Sequence, residues 1–144
     1  IVFRHQAVHV GISTQTEDGL MVPVIKHAEA RDVWDTANEL VRVTTSAREK
    51  TATVDELTGS TITITSLGAM GGLGATPIIN HPEVSIVSIH AARDQAVVRD
   101  GEVVVRKMMN LASSFDHRII DGYDGALLIQ ELKSMLEHPA TIFM

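Results

Sequence analysis

Short runs rich in β-branched residues make up most of this chain, and only two segments have the periodicity of a helix. The first helix is expected over about residues 32–49, with Asp32 as its N-cap. The second is expected from Asp121 to about Glu137, where Pro139 stops it. Strands are expected at Ala7–Thr14, Leu20–Ile25, Ser60–Leu67, Val84–His90, Gln95–Arg99, Glu102–Arg106 and Met108–Phe115. This order has no repeat and no linker, so it predicts one α/β domain with a mixed sheet.

Glycine-containing segments are expected to connect several of these strands. Glu17-Asp18-Gly19 is typical of a hairpin turn, and Asp100-Gly101 is the strongest hairpin signal in the chain. The segment Gly68–Gly74 has too many glycines for regular structure and predicts a loop. Pro23 lies inside the second run, which indicates an edge strand or a bulge.

The composition excludes several classes of function. A chain of 144 residues that is 44% hydrophobic can form one domain with its own core. The lack of cysteine excludes a disulfide framework, a thiolate metal site and a cysteine nucleophile. A net charge of −6 and only 3% aromatic residues argue against a nucleic-acid surface. The apolar runs are shorter than the roughly 20 residues that cross a bilayer, so we expect neither nucleic acid nor membrane as a partner.

The segment Ser114–Gly122 (SFDHRIIDG) holds the best candidates for chemistry. A strand is expected to end near His117 and a helix to begin a few residues later, and such junctions often present catalytic groups. Histidine is the natural base near neutral pH. For an isolated pair of this spacing, the simpler interpretation is a structural His117 and an Asp121 that only caps the helix. A metal pair is a third interpretation, disfavoured because no other cluster of ligands is evident.

This segment resembles the D-H-R-x-x-D-G signature of dihydrolipoamide acyltransferases, the catalytic domains of 2-oxo acid dehydrogenase complexes. Other blocks that resemble the family follow in the same order: GLMVPVI at 19–25, LTGSTITI at 57–64, TPIIN at 76–80 and PEV at 82–84. The resemblance implies an α/β two-layer sandwich with a mixed sheet, similar to chloramphenicol acetyltransferase. Residues 1–144 would be the C-terminal part of one catalytic domain, without its upstream part or the lipoyl and subunit-binding modules. The first residue is not Met, which fits a fragment.

The resemblance also implies an activity, which is acyl transfer between the thiols of dihydrolipoamide and coenzyme A. His117 would be the catalytic base. Thr65 aligns with the family's oxyanion hydroxyl, where serine is usual, and Ser66 is a reserve candidate. Asp121 would be structural support, paired in the family with an upstream arginine. A branched-chain or pyruvate type of complex is favoured.

The glycine loop is expected to lie beside the substrate channel, where small residues let the arms of coenzyme A or lipoamide approach the backbone. The alternative is a simple turn between strands. The expected substrate-binding residues are Ser66, Gly68, Met70, Gly71, Gly72 and Asn80. Coenzyme A would be a substrate, lipoamide would be carried by an upstream module, and no metal is expected.

The partners implied by the family are other copies of the chain and two further enzymes. In the homotrimer each active site would lie between neighbouring subunits, with His117 from one and the hydroxyl strand from the next. Trimers would assemble into a core of about 24 or 60 subunits, joined through the C-terminal tip, residues 138–144. The alternative is that the tip folds back onto its own domain. Upstream modules would hold the decarboxylase and dihydrolipoamide dehydrogenase. The expected location is the bacterial cytoplasm, or the mitochondrial matrix. The competing hypotheses are a catalytically silent scaffold of the core and a stand-alone chloramphenicol-type acetyltransferase.

Overall fold

A computed structural model describes residues 1–68 and 72–143. The strands are β1 (Val10–Ile12), β2 (Thr14–Thr16), β3 (Gly19–Met21), β4 (Val24–Ile25), β5 (Ile62–Ser66), β6 (Ser85–Ile89), β7 (Arg93–Arg99), β8 (Glu102–Met108) and β9 (Leu111–Phe115). The α-helices are α1 (Val33–Arg48) and α2 (Gly122–Glu137), and short 3-10 helices span Ala28–Ala30, Asp55–Leu57 and Pro139–Phe143. In this part of the chain, no helix is long and apolar enough to cross a membrane.

The central sheet has five strands in the order β4-β1-β5-β6-β9. The pairs β1–β5 and β5–β6 are parallel, while β4–β1 and β6–β9 are antiparallel. Two further antiparallel pairs, β2–β3 and β7–β8, form separate two-stranded sheets. The prediction of one mixed α/β fold is therefore confirmed.

The first predicted hairpin is divided between two sheets. The predicted strand Ala7–Thr14 is wrong in extent, because β1 pairs with β4 in the central sheet and β2 pairs with β3 outside it. Between β3 and β4, the carbonyl of Pro23 accepts a hydrogen bond from the Ile12 amide (2.8 Å). Proline has no amide hydrogen for a ladder, and it immediately precedes β4, which is an edge strand as predicted.

The second predicted hairpin is confirmed. Strands β7 and β8 pair in register from Arg93 with Met108 to Arg99 with Glu102. Asp100 and Gly101 both have positive φ, 53° and 84°, as a type I′ turn requires. The predicted strand Met108–Phe115 is interrupted after Met108, because the chain there leaves the hairpin and joins β6 of the central sheet.

Both predicted helices are confirmed, with bounds close to those expected. The Asp32 carboxylate accepts the Asp35 amide at the start of α1 (2.7 Å), and Asp121 caps α2 in the same way. Helix α2 packs closely on β9, since a Cβ added at Gly125 would lie 2.8 Å from the ring of Phe115. A glycine is required at that contact.

The chain leaves much apolar surface open. Its accessible surface is 10306 Å², against about 7,200 Å² for a compact monomer of the same mass. The buried apolar residues of the described chain include Pro23, Val24, Ile25, Val43, Ala47, Ile86 and Val87. Large apolar side chains are exposed on the β7–β8 hairpin and along α2, among them Val98, Val103, Val105, Leu127 and Leu136. A surface of this kind is typical of a part that packs against further protein.

Candidate active site

His117 lies in the turn that joins β9 to α2. The Asp116 amide donates to the Val84 carbonyl (2.8 Å), which extends the pairing of β9 with β6 past Phe115. The Asp116 carbonyl then accepts the amides of Ile119 and Ile120, which closes the turn. His117 is exposed at this turn, and its imidazole makes no hydrogen bond to another residue that the structure describes.

The two charged neighbours of His117 bind each other. The guanidinium of Arg118 reaches both carboxylate oxygens of Asp116, at 2.9 Å from Nε to Oδ1 and 2.5 Å from an Nη to Oδ2. These bonds, with the Arg118 amide, lower the pKa of Asp116 to about 2. Asp116 raises the pKa of Arg118 in turn. The guanidinium of Arg118 therefore binds Asp116, next to the histidine, and does not bind Asp121.

Asp121 acts as the N-cap of α2. Its Oδ1 accepts the Asp124 amide (2.9 Å), which satisfies one of the free donors of the first turn. Within residues 1–68 and 72–143, its carboxylate has no basic partner. The pairing of Asp121 with an upstream arginine stays a prediction.

Thr65 and Ser66 lie at the carboxyl end of β5. Thr65 pairs with Ser88 of β6, and Ser66 pairs with Ile89. The exposed Ser66 hydroxyl accepts the Gly68 amide (3.1 Å), and Gly68 has a φ of 52° that favours glycine. Thr65 is half-buried, and its hydroxyl makes no hydrogen bond within the described ranges. The Thr65 hydroxyl is thus the less engaged of the two.

The described part of the glycine loop, residues 72–74, lies beside the same end of the sheet. The side-chain amide of Asn110 donates to the Leu73 carbonyl (2.6 Å), which ties the loop to the start of β9. Gly72 and Gly74 are exposed, and a Cβ at either position would meet no close contact. Of the other predicted substrate-binding residues, Met70 and Gly71 lie outside the described residues.

Asn80 lies at the opposite end of β6, in a polar cluster that the sequence analysis did not identify. Its side-chain amide donates to Glu83 Oε1 (3.1 Å) and approaches Ser60 Oγ (3.4 Å). Glu83 Oε1 also accepts the hydroxyls of Ser60 and Thr63. The carboxylate is buried, and its Oε2 has no hydrogen-bond partner in the described chain. The role of Asn80 in substrate binding stays a prediction, and its amide is already engaged here.

His90, the residue that follows β6, is a further polar residue that no sequence motif indicated. His90 is 6% exposed, and its ring Nε2 has no hydrogen-bond partner among the described residues. A polar residue at the end of a buried strand was the available signal. We call Thr65–Gly68, Gly72–Gly74 and His90 the hydroxyl end of the sheet, and Asp116–Asp121 the histidine end.

The register separates these two ends within one chain. Thr65 pairs with Ser88, which pairs with Ala112 on β9. From Ala112 to Phe115, where β9 ends, the strand rises roughly 10 Å, and two strand spacings add about 10 Å across the sheet. His117 lies further along still. A general base acts over about 3 Å, so the His117 and Thr65 side chains of one chain cannot act on the same reacting atoms.

The described part of the chain contains no group of three or more acidic, histidine or cysteine side chains arranged to hold a metal ion.

The family profile described as 2-oxoacid dehydrogenases acyltransferase (catalytic domain) matches residues 1–144. This chain belongs to that family. The recognition made from the five sequence blocks is thereby confirmed.

Curated relatives in the family are longer than this chain. The lipoamide acyltransferase component of the branched-chain alpha-keto acid dehydrogenase complex of Pseudomonas aeruginosa is 55% identical over 144 residues, which are 100% of this chain and 34% of the relative. The dihydrolipoyllysine-residue acetyltransferase component of the Staphylococcus aureus pyruvate dehydrogenase complex is 39% identical over the same length, 33% of that protein. The chain therefore spans about a third of these relatives.

Solved structures in the family have the same fold. The dihydrolipoamide acetyltransferase of Azotobacter vinelandii superposes with a TM-score of 0.92 at 36% identity, over 98% of this chain and 58% of that one. That structure was determined to examine a serine, a histidine and an asparagine in its catalytic mechanism. The separations between those three residues equal the separations between Thr65, His117 and Asp121. A truncated catalytic core from Thermoplasma acidophilum superposes at 0.82, over 96% of this chain and 61% of that one.

Proposed function

We propose that the whole protein transfers an acyl group between dihydrolipoamide and coenzyme A in a 2-oxo acid dehydrogenase complex. The observation that carries this proposal is the shared spacing of three residues with the three whose catalytic role was examined in the Azotobacter enzyme. The higher identity to the branched-chain component than to the pyruvate component favours a branched-chain acyl group.

His117 is the base in this proposal. An attacking thiol has a pKa near 8.5, so little of it is thiolate at neutral pH, and the thiolate is the nucleophile. An imidazole that removes the proton during attack and returns one to the leaving sulfur contributes about 10²–10⁴-fold. Support comes from the position of His117, which is exposed at a strand-to-helix turn with its ring uncommitted within the described chain.

Thr65 is the donor to the oxyanion of the tetrahedral intermediate. It occupies the position that the spacing assigns to the serine of the Azotobacter enzyme, and threonine carries the same hydroxyl. Its half-buried hydroxyl is uncommitted in the described chain, whereas Ser66 Oγ already accepts the Gly68 amide. Asp121, where the relative has asparagine, supports the turn by capping α2.

Each active site is formed by two copies of the chain. The separation of the histidine end from the hydroxyl end prevents one copy from using both, so His117 of one copy would meet Thr65 of the next. The open apolar surface of the chain supports such a packed arrangement. A homotrimer satisfies this requirement with three equivalent sites.

The trimers would assemble further into a hollow core of about 24 or 60 subunits. Support comes from a solved cubic core of a pyruvate dehydrogenase multienzyme complex, which is 37% identical to this chain with a TM-score of 0.92. In the described part of the tip, Pro139–Phe143 form a 3-10 helix, in which the side chain of Phe143 is 70% exposed. That exposed ring is a suitable contact between trimers.

Deleting residues 142–144 from the full-length protein is therefore expected to leave active trimers that no longer form the large particle. Burial of one large apolar side chain is worth roughly 1.5–3 kcal/mol, and the contact repeats at every two-fold axis. Light scattering after size exclusion measures the particle mass. Thr141→Ala, which keeps the chain length, is the control, and a full-size particle from the deletion variant would contradict the role of the tip.

The activity is tested by assaying the full-length protein for acyl transfer to dihydrolipoamide from acetyl-, isobutyryl- and succinyl-coenzyme A. Turnover that is fastest with the isobutyryl compound would support the branched-chain assignment. A correctly assembled protein without turnover on any of the three would favour the silent scaffold. Turnover onto a small-molecule acceptor in place of dihydrolipoamide would favour the stand-alone acetyltransferase.

A further inference from the structure

His90 lies on the same face of the sheet as Thr65. Its amide donates to the Asn110 carbonyl (3.2 Å), which continues the β6–β9 ladder one residue beyond the pair Ile89–Leu111. Alternate residues of a strand share a face, so His90 shares the face of Ser88, the residue paired with Thr65. A diagonal neighbour of this kind is about 7 Å away, within reach of a long side chain.

The imidazole of His90 is buried with one nitrogen unsatisfied. The residue is 6% exposed, and Nε2 has no hydrogen-bond partner in residues 1–68 and 72–143. A neutral imidazole has one donor and one acceptor nitrogen, and buried polar atoms in native proteins are almost always paired. The partner of Nε2 therefore comes from a molecule or segment outside the described chain.

Residues 72–74 of the glycine loop are linked to His90 through Asn110. Asn110 pairs with His90 through its backbone and holds the Leu73 carbonyl through its side chain. The space at the missing Cβ positions of Gly72 and Gly74 is open. The unsatisfied nitrogen, the open loop and the Thr65 hydroxyl thus lie at one end of one sheet face, which is the arrangement of a passage for a narrow ligand.

We propose that His90 is a substrate-binding residue whose Nε2 hydrogen-bonds an amide in the flexible arm that carries the reacting thiol. This inference rests on the proposed acyl transfer and adds a residue to it. Both arms, pantetheine in coenzyme A and the lipoyl amide, present amide N–H and C=O groups that a neutral imidazole pairs with. The shared chemistry is the amide, and the kinetics distinguish which arm supplies it.

The test uses His90→Leu and His90→Gln in the full-length protein, with His5→Leu as the control at an exposed histidine. Loss of one hydrogen bond to a buried group is expected to raise KM by about tenfold in His90→Leu. The kcat should stay within about twofold, because the contact is made in the ground state and the transition state alike.

His90→Gln should recover part of the affinity through its amide. An increased KM for coenzyme A assigns the pantetheine arm, and one for dihydrolipoamide assigns the lipoyl arm.

Unchanged KM values for both substrates in an assembled His90→Leu variant would overturn the inference, and a lower melting temperature alone would assign His90 to packing. If His90→Leu fails to assemble, His90→Gln is measured instead, and unchanged KM values for both substrates in that variant would overturn the inference. If the wild-type protein turns over and the His90 variants have unchanged KM values, only this inference is wrong. A wild-type protein without turnover removes the proposed function and the inference together.

Discussion

The two ends of the central sheet differ in how far this chain completes them. At the histidine end, the Asp116 carbonyl, the Asp116–Arg118 ion pair and the Asp121 cap fix the turn with local contacts. At the hydroxyl end, His90 Nε2 is buried without a partner in the described residues, and the space beside Gly72 and Gly74 is open. The histidine end is held by local contacts of this chain, whereas the hydroxyl end has a buried nitrogen without a partner among the described residues. In the proposed site between two copies, the histidine end would therefore set the geometry.

The largest expected effect comes from removing the imidazole of His117 at the histidine end. His117→Ala in the full-length protein is expected to lower kcat by about 10²–10⁴-fold. Coenzyme A affinity should change little, because the imidazole acts on a proton in transit and contributes little to ground-state binding. Steady-state kinetics and equilibrium binding measure the two effects. His5→Ala is the matched control, and a variant that keeps a tenth of wild-type activity would refute the role of His117.

At the hydroxyl end, Thr65→Ala is expected to lower kcat by about 10²-fold with little change in KM, as for a donor used mainly at the oxyanion. Thr65→Ser keeps the hydroxyl and should retain most activity. Ser66→Ala is the matched control, since it removes the adjacent hydroxyl. If Ser66→Ala is damaging and Thr65→Ala is silent, the assignment is one residue out of register.

Mixing the two inactive variants tests whether the ends of different copies meet. Subunits carrying His117→Ala and Thr65→Ala, unfolded and reassembled together in equal amounts, should recover about a quarter of the wild-type sites, because random association gives that share intact His117 and intact Thr65. Each variant reassembled alone is the control. Mixed particles with no gain over the separate variants would place both residues in one chain and contradict the shared site.

The smallest expected effect concerns the ion pair beside His117. Arg118 holds the pKa of Asp116 at about 2, below its ordinary value of 3.8. The pair therefore stabilises the fold at pH values above about 4 and loses that contribution as the pH falls through about 2. In Arg118→Ala the pKa of Asp116 should rise towards 3.8, as measured by NMR titration of the carboxyl group. Arg106→Ala is the control, and an unchanged pKa in Arg118→Ala would mean that the two side chains do not pair in solution.

The local signals in the sequence predicted the parts of the fold that depend on neighbouring residues. The caps Asp32 and Asp121 and the turn Asp100-Gly101 gave both helices and the β7–β8 hairpin correctly. The division of the first hairpin was missed, because β1 pairs with β5, which lies far along the chain. The interruption after Met108 was missed for the same reason, since β9 pairs with β6.

The residues of the candidate site and their division between two copies were predictable only through the family resemblance. The motif identified His117, and the family alignment pointed to Thr65. Their separation follows only from the register of β5, β6 and β9, which no local pattern encodes. The burial of His90 and of Glu83 is likewise a property of packing between distant segments.

The contact of Gly125 with Phe115 limits the length of the segment between them. Phe115 ends β9, and Gly125 lies in the first turns of α2, so the histidine turn is clamped at both sides. An extra residue inserted between Arg118 and Asp121 would have to bulge outwards or pull the helix off the strand. A substitution at these positions alters one side chain, whereas an insertion would move the whole turn. The spacing within the D-H-R-x-x-D-G segment is therefore as much a requirement of the fold as the identities of its residues are of the chemistry.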